Sequence, residues 1–290
     1  MIECAPFFSV LTPVYDPPLG DLSAAIESVR AQTFRGWELI LVDDGSPSDA
    51  VRALLARAVA SDERITVIER VANGGIVASS NDAVGAARGQ FLALLDDDDV
   101  LVPHALERMH VVLEESLGTD YVYSDEDKID TEGEQYDEFR KPGWSPERLR
   151  GQMYTGHLSV LRASLVREVG GFRAGYEGSQ DHDLVLRVSE RAGRVVHVPE
   201  VLYHWRVVPG SVAGDTEAKQ HAWVAGCRAV QDQLDRLGIA GTASCGRMSG
   251  TYRIERVADP GTSVSVIIPT RGGSGMVWGE RRCLASIHRW

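Results

Sequence analysis

Long apolar runs are absent from this 290-residue sequence. No stretch approaches the roughly 20 residues that span a bilayer, and Met1 to Phe8 has neither the basic start nor the apolar stretch of a secretory signal. A transmembrane span and a cleaved leader are therefore not expected, while peripheral membrane association stays compatible with the sequence. Cysteine is scarce: four residues (Cys4, Cys227, Cys245 and Cys283) and no Cys-x-x-Cys pair. That argues against a zinc site and a disulfide framework, and suits a reducing, cytoplasmic compartment. Positive charge is in deficit. Lys and Arg number 30 against 42 Asp and Glu, a net charge of -12, so nucleic acid is not an expected partner. The first apolar strand is also not followed by a Gly-rich loop bearing Lys or Arg; Thr12-Pro13-Val14-Tyr15-Asp16 stands there. A nucleotidyltransferase would be expected to carry such a loop.

What is present is enough apolar material, 43% of residues, to bury an α/β core in one domain with a small appendage. Phe7 to Thr12, Glu38 to Val42, Ile65 to Glu69 and Phe91 to Leu95 are continuous apolar runs of strand length. Between them, Asp21 to Gln32, Ser48 to Val59 and Gly75 to Arg88 carry helical spacing, and Pro103 opens a fourth helix running to Leu117. This βαβα rhythm predicts a parallel sheet with right-handed crossovers. From Gly118 the rhythm breaks: Tyr121 to Ser124, a polar loop, a short segment from Ser145, and a helix from Ala163 stopped by Gly170-Gly171. Asp181 to Ala192 returns to helical spacing, Val195 to Val198 and Val201 to Trp205 are expected as two strands, and a helix from Glu217 to Leu237 ends at Gly238.

One internal repeat is visible. Val264 to Thr270 echoes Phe8 to Pro13, and Leu284 to Ile287 echoes Ile26 to Val29. The reading is a main domain over 1–240, a linker or strand extension over 241–262, and at 263–290 either the truncated start of a second domain or a strand and helix docked on the first.

Three segments carry chemistry. Asp96-Asp97-Asp98-Asp99 follows the apolar run Phe91 to Leu95 directly, at the strand edge where open parallel sheets bind ligands. Adjacent carboxylates repel unless a cation offsets them, and alternating ones such as Asp96 and Asp98 supply hard oxygen ligands for Mg²⁺ or Mn²⁺. The plainer alternative is a solvated turn capping the next helix. Val42-Asp43-Asp44-Gly45-Ser46 also follows a strand; its carboxylates can accept hydrogen bonds from a base or ribose, although such residues are ordinary in turns. Gly178-Ser179-Gln180-Asp181-His182-Asp183 enters a helix, where Asp181 is either an N-cap or a general base. His157 and His204 compete as further ligands, against the alternative that each simply packs.

In order along the chain, Thr12-Pro13-Val14-Tyr15, Val42 to Ser46, Asn73-Gly74-Gly75 through Asn81, Leu95 to Asp99, Gly170-Gly171-Phe172 and Gln180 to Leu184 resemble the motifs of the family-2 glycosyltransferases, inverting enzymes of the GT-A type. The resemblance covers residues 7 to about 210. It implies an α/β fold with a Rossmann-like, mostly parallel sheet flanked by helices and a mixed acceptor-side region. It further implies that Pro13, Tyr15, Asp44, Asn73, Asn81, Asp96 and Asp97 bind the nucleotide sugar, that Asp96, Asp98 and His204 hold the metal, and that Asp181 is the catalytic aspartate. Gln180 departs from the Glu many members carry there. Trp144, His157 and Asp183 fall on the acceptor or sugar side, Trp144 serving equally well as a buried structural residue.

Tyr123 to Lys128, Lys141 to Pro146 and Tyr203 to Arg206 are similar to segments of bacterial surface-polysaccharide enzymes with tandem domains. The expected donor is a UDP- or dTDP-sugar and the expected acceptor a saccharide, lipid-linked molecule or protein, with a divalent cation as cofactor. The alternative from another class is a non-catalytic nucleotide-sugar-binding or assembly domain, which would use the same residues without turnover.

Overall fold

The structure is a computed structural model that describes residues 5–207 and 216–258 and, beyond them, 261, 263, 265, 275–277 and 280–282. The chain divides into two units, Met1–Arg256 and Val257–Trp290.

The first unit opens as the apolar runs require: β1 (Phe8–Val14), α1 (Leu19–Arg30), β2 (Trp37–Asp43), α2 (Asp49–Ser61), β3 (Ile65–Glu69), α3 (Ile76–Ala86) and β4 (Phe91–Leu94). β1 pairs in parallel with both β2 and β4, and β2 with β3. Burial on both faces explains why β1, β2 and β4 are largely apolar, while β3, at the sheet edge, buries only Ile65. Val10, Leu39 and Leu41 enter the core packed with α1 and α2, while their neighbours Leu11, Ile40 and Val42 enter the core on the α3 side. Ser48 starts α2 by accepting the Val51 N–H on its side chain.

After the two-residue β5 (Val100–Leu101) and α4 (Ala105–Glu115), the chain builds a mixed half. Its elements are β6 (Tyr121–Ile129), β7 (Gln135–Phe139), α5 (Pro146–Gly151), β8 (Ser159–Arg162), α6 (Ala163–Glu168), α7 (Gln180–Ser189), β9 (Val195–Arg206) and α8 (Thr216–Arg236). The strand order is β3-β2-β1-β4-β8-β6-β9-β5, with β7 beside β6. β8 runs antiparallel between β4 and β6, whereas β6 and β9 are parallel. The polar loop expected after Ser124 is instead the second part of β6. Its acidic alternation hides a strand because Asp125 and Asp127 are buried, taken up by Lys141 N–H, His197 and His204. The two short strands expected at 195–205 are likewise one strand, with its register shifted opposite Ser124 to Glu126.

Gly238, at φ +64, ends α8, with the Ile239 N–H reaching back to the Leu234 carbonyl. The antiparallel hairpin β10 (Gly241–Cys245) and β11 (Tyr252–Arg256) follows within the same unit. In the second unit, β12 (Gly275–Val277) pairs antiparallel with β13 (Glu280–Arg282). The repeat segments 264–270 and 284–287 lie outside the described residues, Ser265 apart.

Candidate active site at the carboxyl edge of the sheet

β1, β2 and β4 end on one edge, and the loops beyond them wall an open cleft of about 390 Å³ lined by Pro13, Tyr15, Asp44, Asn73, Asp96, Asp97, Asp98 and Gln180. The floor of this cleft is braced internally. Gly45 adopts φ +76, and a Cβ there would lie 3.0 Å from the Asn73 backbone nitrogen, so only glycine allows the two loops to meet. Across that approach the Asp44 carboxylate accepts the Gly74 and Gly75 N–H groups at 2.9 and 2.7 Å and pairs with Arg70 at 2.8 Å. Asp44 therefore shapes the cleft as well as lining it. Asn73 turns its side-chain oxygen to the Gly75 N–H. Asn81 is not brought to this wall: its amide is spent on the Phe172 N–H and carbonyl, both at 2.9 Å.

The acidic turn is held from two sides. The Tyr15 N–H donates to Asp97 at 3.1 Å. Burial, with the carboxylates of Asp98 and Asp96 adding to it against that hydrogen bond, pushes Asp97 up to about 7. Burial and the neighbouring Asp96 also raise Asp98. Asp99 is wholly buried and its oxygens accept the Tyr203 hydroxyl at 2.5 Å and the Arg206 N–H at 2.7 Å. Burial and then Asp96 raise Asp99 to about 8. Asp96 alone is half exposed, its side chain at 53%. Burial is the largest cause of each of these shifts and the neighbouring carboxylates add to it, so the turn gathers acidic groups at a poorly solvated edge.

The mixed half supplies the opposite wall. Asp96 and Gln180, with Pro13 and Ile76, also line a smaller cavity of about 60 Å³ together with His157 and Asp181. His157 stacks on Tyr203, ring centres 4.5 Å apart, and its Nε2 lies 3.7 Å from Asp96. Its other nitrogen is buried without a hydrogen bond, 3.7 Å from Glu126. Burial lowers its pKa, but Asp96, Glu126, Asp99 and Asp181 outweigh burial and the imidazole stands above its ordinary value. Lys141, with no side-chain exposure, fixes this loop through the Glu126 carboxylate, the Thr155 carbonyl and the His157 carbonyl. Glu126 in turn accepts the His157 N–H at 2.9 Å.

Asp181 sits in the first turn of α7, behind the N-cap Ser179, so capping is not its role. Burial and Asp96 raise its pKa, and His157 opposes them. Helical rotation separates it from its neighbours. His182 is buried, donates to the Leu149 carbonyl at 2.7 Å, and burial takes it down to about 4. Asp183 faces inward, unexposed and paired with Arg173 and Arg187, so it is not on the acceptor side. Trp144 packs edge-on against Tyr121 at 6.3 Å and lies partly buried against the core.

His204 is not at the acidic turn. Successive strand residues face opposite ways; Tyr203 turns to Asp99, and His204 turns to Asp127 and Gln135 in a separate pocket. Among the described residues, Asp96, Asp99 and His157 place three ligand atoms within 4.8 Å of one another. The carboxylate oxygens suit a hard divalent cation, and the imidazole nitrogen extends the set to borderline first-row metals. Tyr203, Glu126 and Lys141 escaped the sequence reading as site residues; the signal available was the alternation of β9, where only one of two adjacent aromatic rings can face the turn.

A mostly parallel sheet with an acidic turn at its carboxyl edge and a mixed half beside it is the GT-A arrangement. A structure of Staphylococcus aureus TarS 1-349 in complex with UDP-GlcNAc has this fold, at TM-score 0.60 and 16% identity over 79% of this chain and 72% of that one. The chain belongs to glycosyl transferase family 2, whose model matches residues 9–170. It is 42% identical to protein y4gI of Sinorhizobium fredii over 93% of this chain and 30% of that protein. It is 33% identical to the O-antigen biosynthesis protein RfbC of Myxococcus xanthus over 91% of this chain and 21% of RfbC. The chain thus spans less than a third of the length of these two relatives. No helix among the described residues is long and apolar enough to cross a membrane.

Proposed function

We propose that the chain transfers a sugar from a nucleoside diphosphate donor to an acceptor hydroxyl with inversion, at the cytoplasmic side of bacterial surface-polysaccharide assembly. The observation that carries this reading is that Asp181 and Asp96 wall one cavity whose lining continues into the donor-sized cleft. Such a junction lets a base stand beside the leaving group without touching the nucleotide. The names of RfbC and of the UDP-GlcNAc complex support polysaccharide synthesis and a uridine or related donor.

In this reading the nucleoside lies along Pro13, Tyr15 and Asn73, and the diphosphate at Asp96 to Asp98. Asp96, with His157 3.7 Å away, and Asp98 would hold Mn²⁺ or Mg²⁺; Asp99, occupied by Tyr203 and Arg206, holds the turn in shape. When bound, the cation neutralises charge developing on the departing diphosphate. The acceptor oxygen bonds to the anomeric carbon from the face opposite the diphosphate as the carbon–oxygen bond to phosphate breaks. Its proton passes to Asp181. The raised pKa of Asp181 brings its basicity nearer neutrality, where a general base is most effective.

Thermal unfolding with a panel of nucleotide sugars tests this without an acceptor. A rise in melting temperature with one class of nucleoside diphosphate sugar, dependent on Mn²⁺ or Mg²⁺, is the expected result. No shift with any donor in either metal would refute the proposal. Donor turnover to free nucleoside diphosphate separates it from a binding module.

A further inference from the structure

We propose that Cys227 of α8 and Cys245 of β10 are a reversible dithiol pair, a site of oxidative modification that staples the β10–β11 hairpin to α8. This site is independent of the glycosyl-transfer reading. Both cysteines are free, Cys227 half-buried and Cys245 exposed.

Their juxtaposition follows from how the hairpin lies on the helix. Gln231 accepts the Ala243 N–H at 2.8 Å on its side-chain oxygen. Four residues earlier on α8 is one turn back on the same face, and two residues later on β10 is the next side chain on the same side. These steps lead to Cys227 and Cys245. Tyr252 confirms the alignment independently: it is paired across the hairpin with Cys245, and its hydroxyl approaches Gly226 so closely that a Cβ there would lie 1.9 Å away. Burial and then the adjacent Cys245 thiol hold the Cys227 thiol above its ordinary range, so the exposed Cys245 reacts first.

A hydroperoxide supplies the oxidant. The Cys245 sulfur takes an oxygen from hydrogen peroxide, giving a sulfenic acid and water. The Cys227 sulfur then displaces that oxygen; the S–S bond forms, the S–O bond breaks, and a second water carries off the remaining proton. Two electrons pass from the thiols to the peroxide bond. A small thiol reverses the change by exchange. The staple would act on more than the hairpin, because Tyr252 stacks on His182 at 5.3 Å and the Thr251 carbonyl accepts the Trp223 indole N–H at 2.8 Å.

The test treats the full chain with hydrogen peroxide, blocks free thiols by alkylation, and maps tryptic peptides. All four cysteines fall in different peptides, Cys227 in 220–228 and Cys245 in 237–247. The expected product joins these two peptides within one chain, disappears with dithiothreitol, and is absent from Cys245→Ser. Closing so short a loop should raise the melting temperature of the oxidised wild type by about 5 °C over the reduced form, a shift Cys245→Ser should not show. Persistent alkylation of both residues, pairing of Cys245 with Cys4, Cys283 or another chain, or its passage to a sulfinic acid would each overturn the proposal.

Discussion

The parallel half and the mixed half of this molecule contribute to the site by opposite routes. In the parallel half the contributors sit at or just beyond the carboxyl ends of their strands: Pro13 to Tyr15 at the end of β1, Asp44 after β2, Asn73 beyond β3, and Asp96 to Asp99 beyond β4. In the mixed half the contributors come from separate places, with Glu126, Lys141, His157, Asp181 and Tyr203 drawn from β6, two loops, α7 and β9. One half concentrates negative charge and the other surrounds it with positioning groups. The difference teaches that a charged turn becomes a defined site only when a second layer fixes it, here with Tyr203 and Arg206 holding the turn and the Lys141–Glu126 pair holding the His157 loop beside it.

The comparison breaks first at Asp181. Asp181→Asn keeps the volume but cannot accept a proton near neutrality, so transfer at saturating donor should fall by roughly 10²-fold or more. Donor affinity, measured in parallel, should hold. Equal loss of donor affinity would mean that the mixed half binds the nucleotide too, and near-normal turnover would remove Asp181 as the base.

The matching test of the parallel half is Asp98→Ala or excess EDTA. Diphosphate beside uncompensated carboxylates is repelled, so donor affinity should fall by about tenfold or more. Isothermal titration reads the effect, and unchanged affinity in EDTA would sink the metal assignment.

A third measurement contrasts the halves by pH. His182 is neutral in the folded protein down to about 4, against an ordinary 6.5. Below the ordinary value the unfolded state takes the proton first, so this residue's contribution falls as pH drops from about 6.5 towards about 4. Asp97 and Asp99, raised to about 7 and about 8, act with the opposite sign: their ionisation costs the folded state stability as pH rises from the carboxylate range through those values. His182→Gln isolates the histidine's effect. Between about pH 7 and about pH 5, wild type should lose about 2 kcal/mol relative to this variant in denaturant unfolding. A constant difference would show that His182 titrates normally.

The pin between the halves is tested by Tyr203→Phe. Losing a hydrogen bond to a buried carboxyl should cost about 1.5 kcal/mol and weaken the donor, because the hydroxyl that donates to Asp99 also accepts the Asp96 N–H at 3.3 Å. Destabilisation with donor affinity unmoved would make the pin purely structural. The smallest effect is expected from deleting the chain beyond residue 262. If that segment begins a second domain, the melting transition of the first unit should shift by less than about 2 °C, and a collapse would make the tail integral.

The parallel half was legible because a strand buried on both faces needs a continuous apolar run, and the ligand edge follows from strand direction. The acidic turn could thus be located by eye at Asp96 to Asp99. The second part of β6 was not legible, since burial of Asp125 and Asp127 depends on partners such as His197 and His204 that local polarity does not announce. Asn81, expected on the nucleotide side, and Asp183, expected on the acceptor side, are drawn elsewhere for the same reason: Phe172 holds the first, and Arg173 and Arg187 hold the second. At position 204, the family resemblance implied a histidine at the metal, but a resemblance along the chain carries no facing, and β9 turns that side chain to Asp127.

By itself, then, the sequence determined the βαβα sheet, the carboxyl edge at which the cleft opens and the stock of carboxylates there, because periodicity and strand direction are local properties. Only the tertiary structure decided which of those carboxylates is pinned, which histidine stands beside Asp96, and that Asp181 shares its cavity. Those outcomes depend on packing contacts between residues up to 107 positions apart, and no local pattern encodes which of two buried partners a polar side chain will meet.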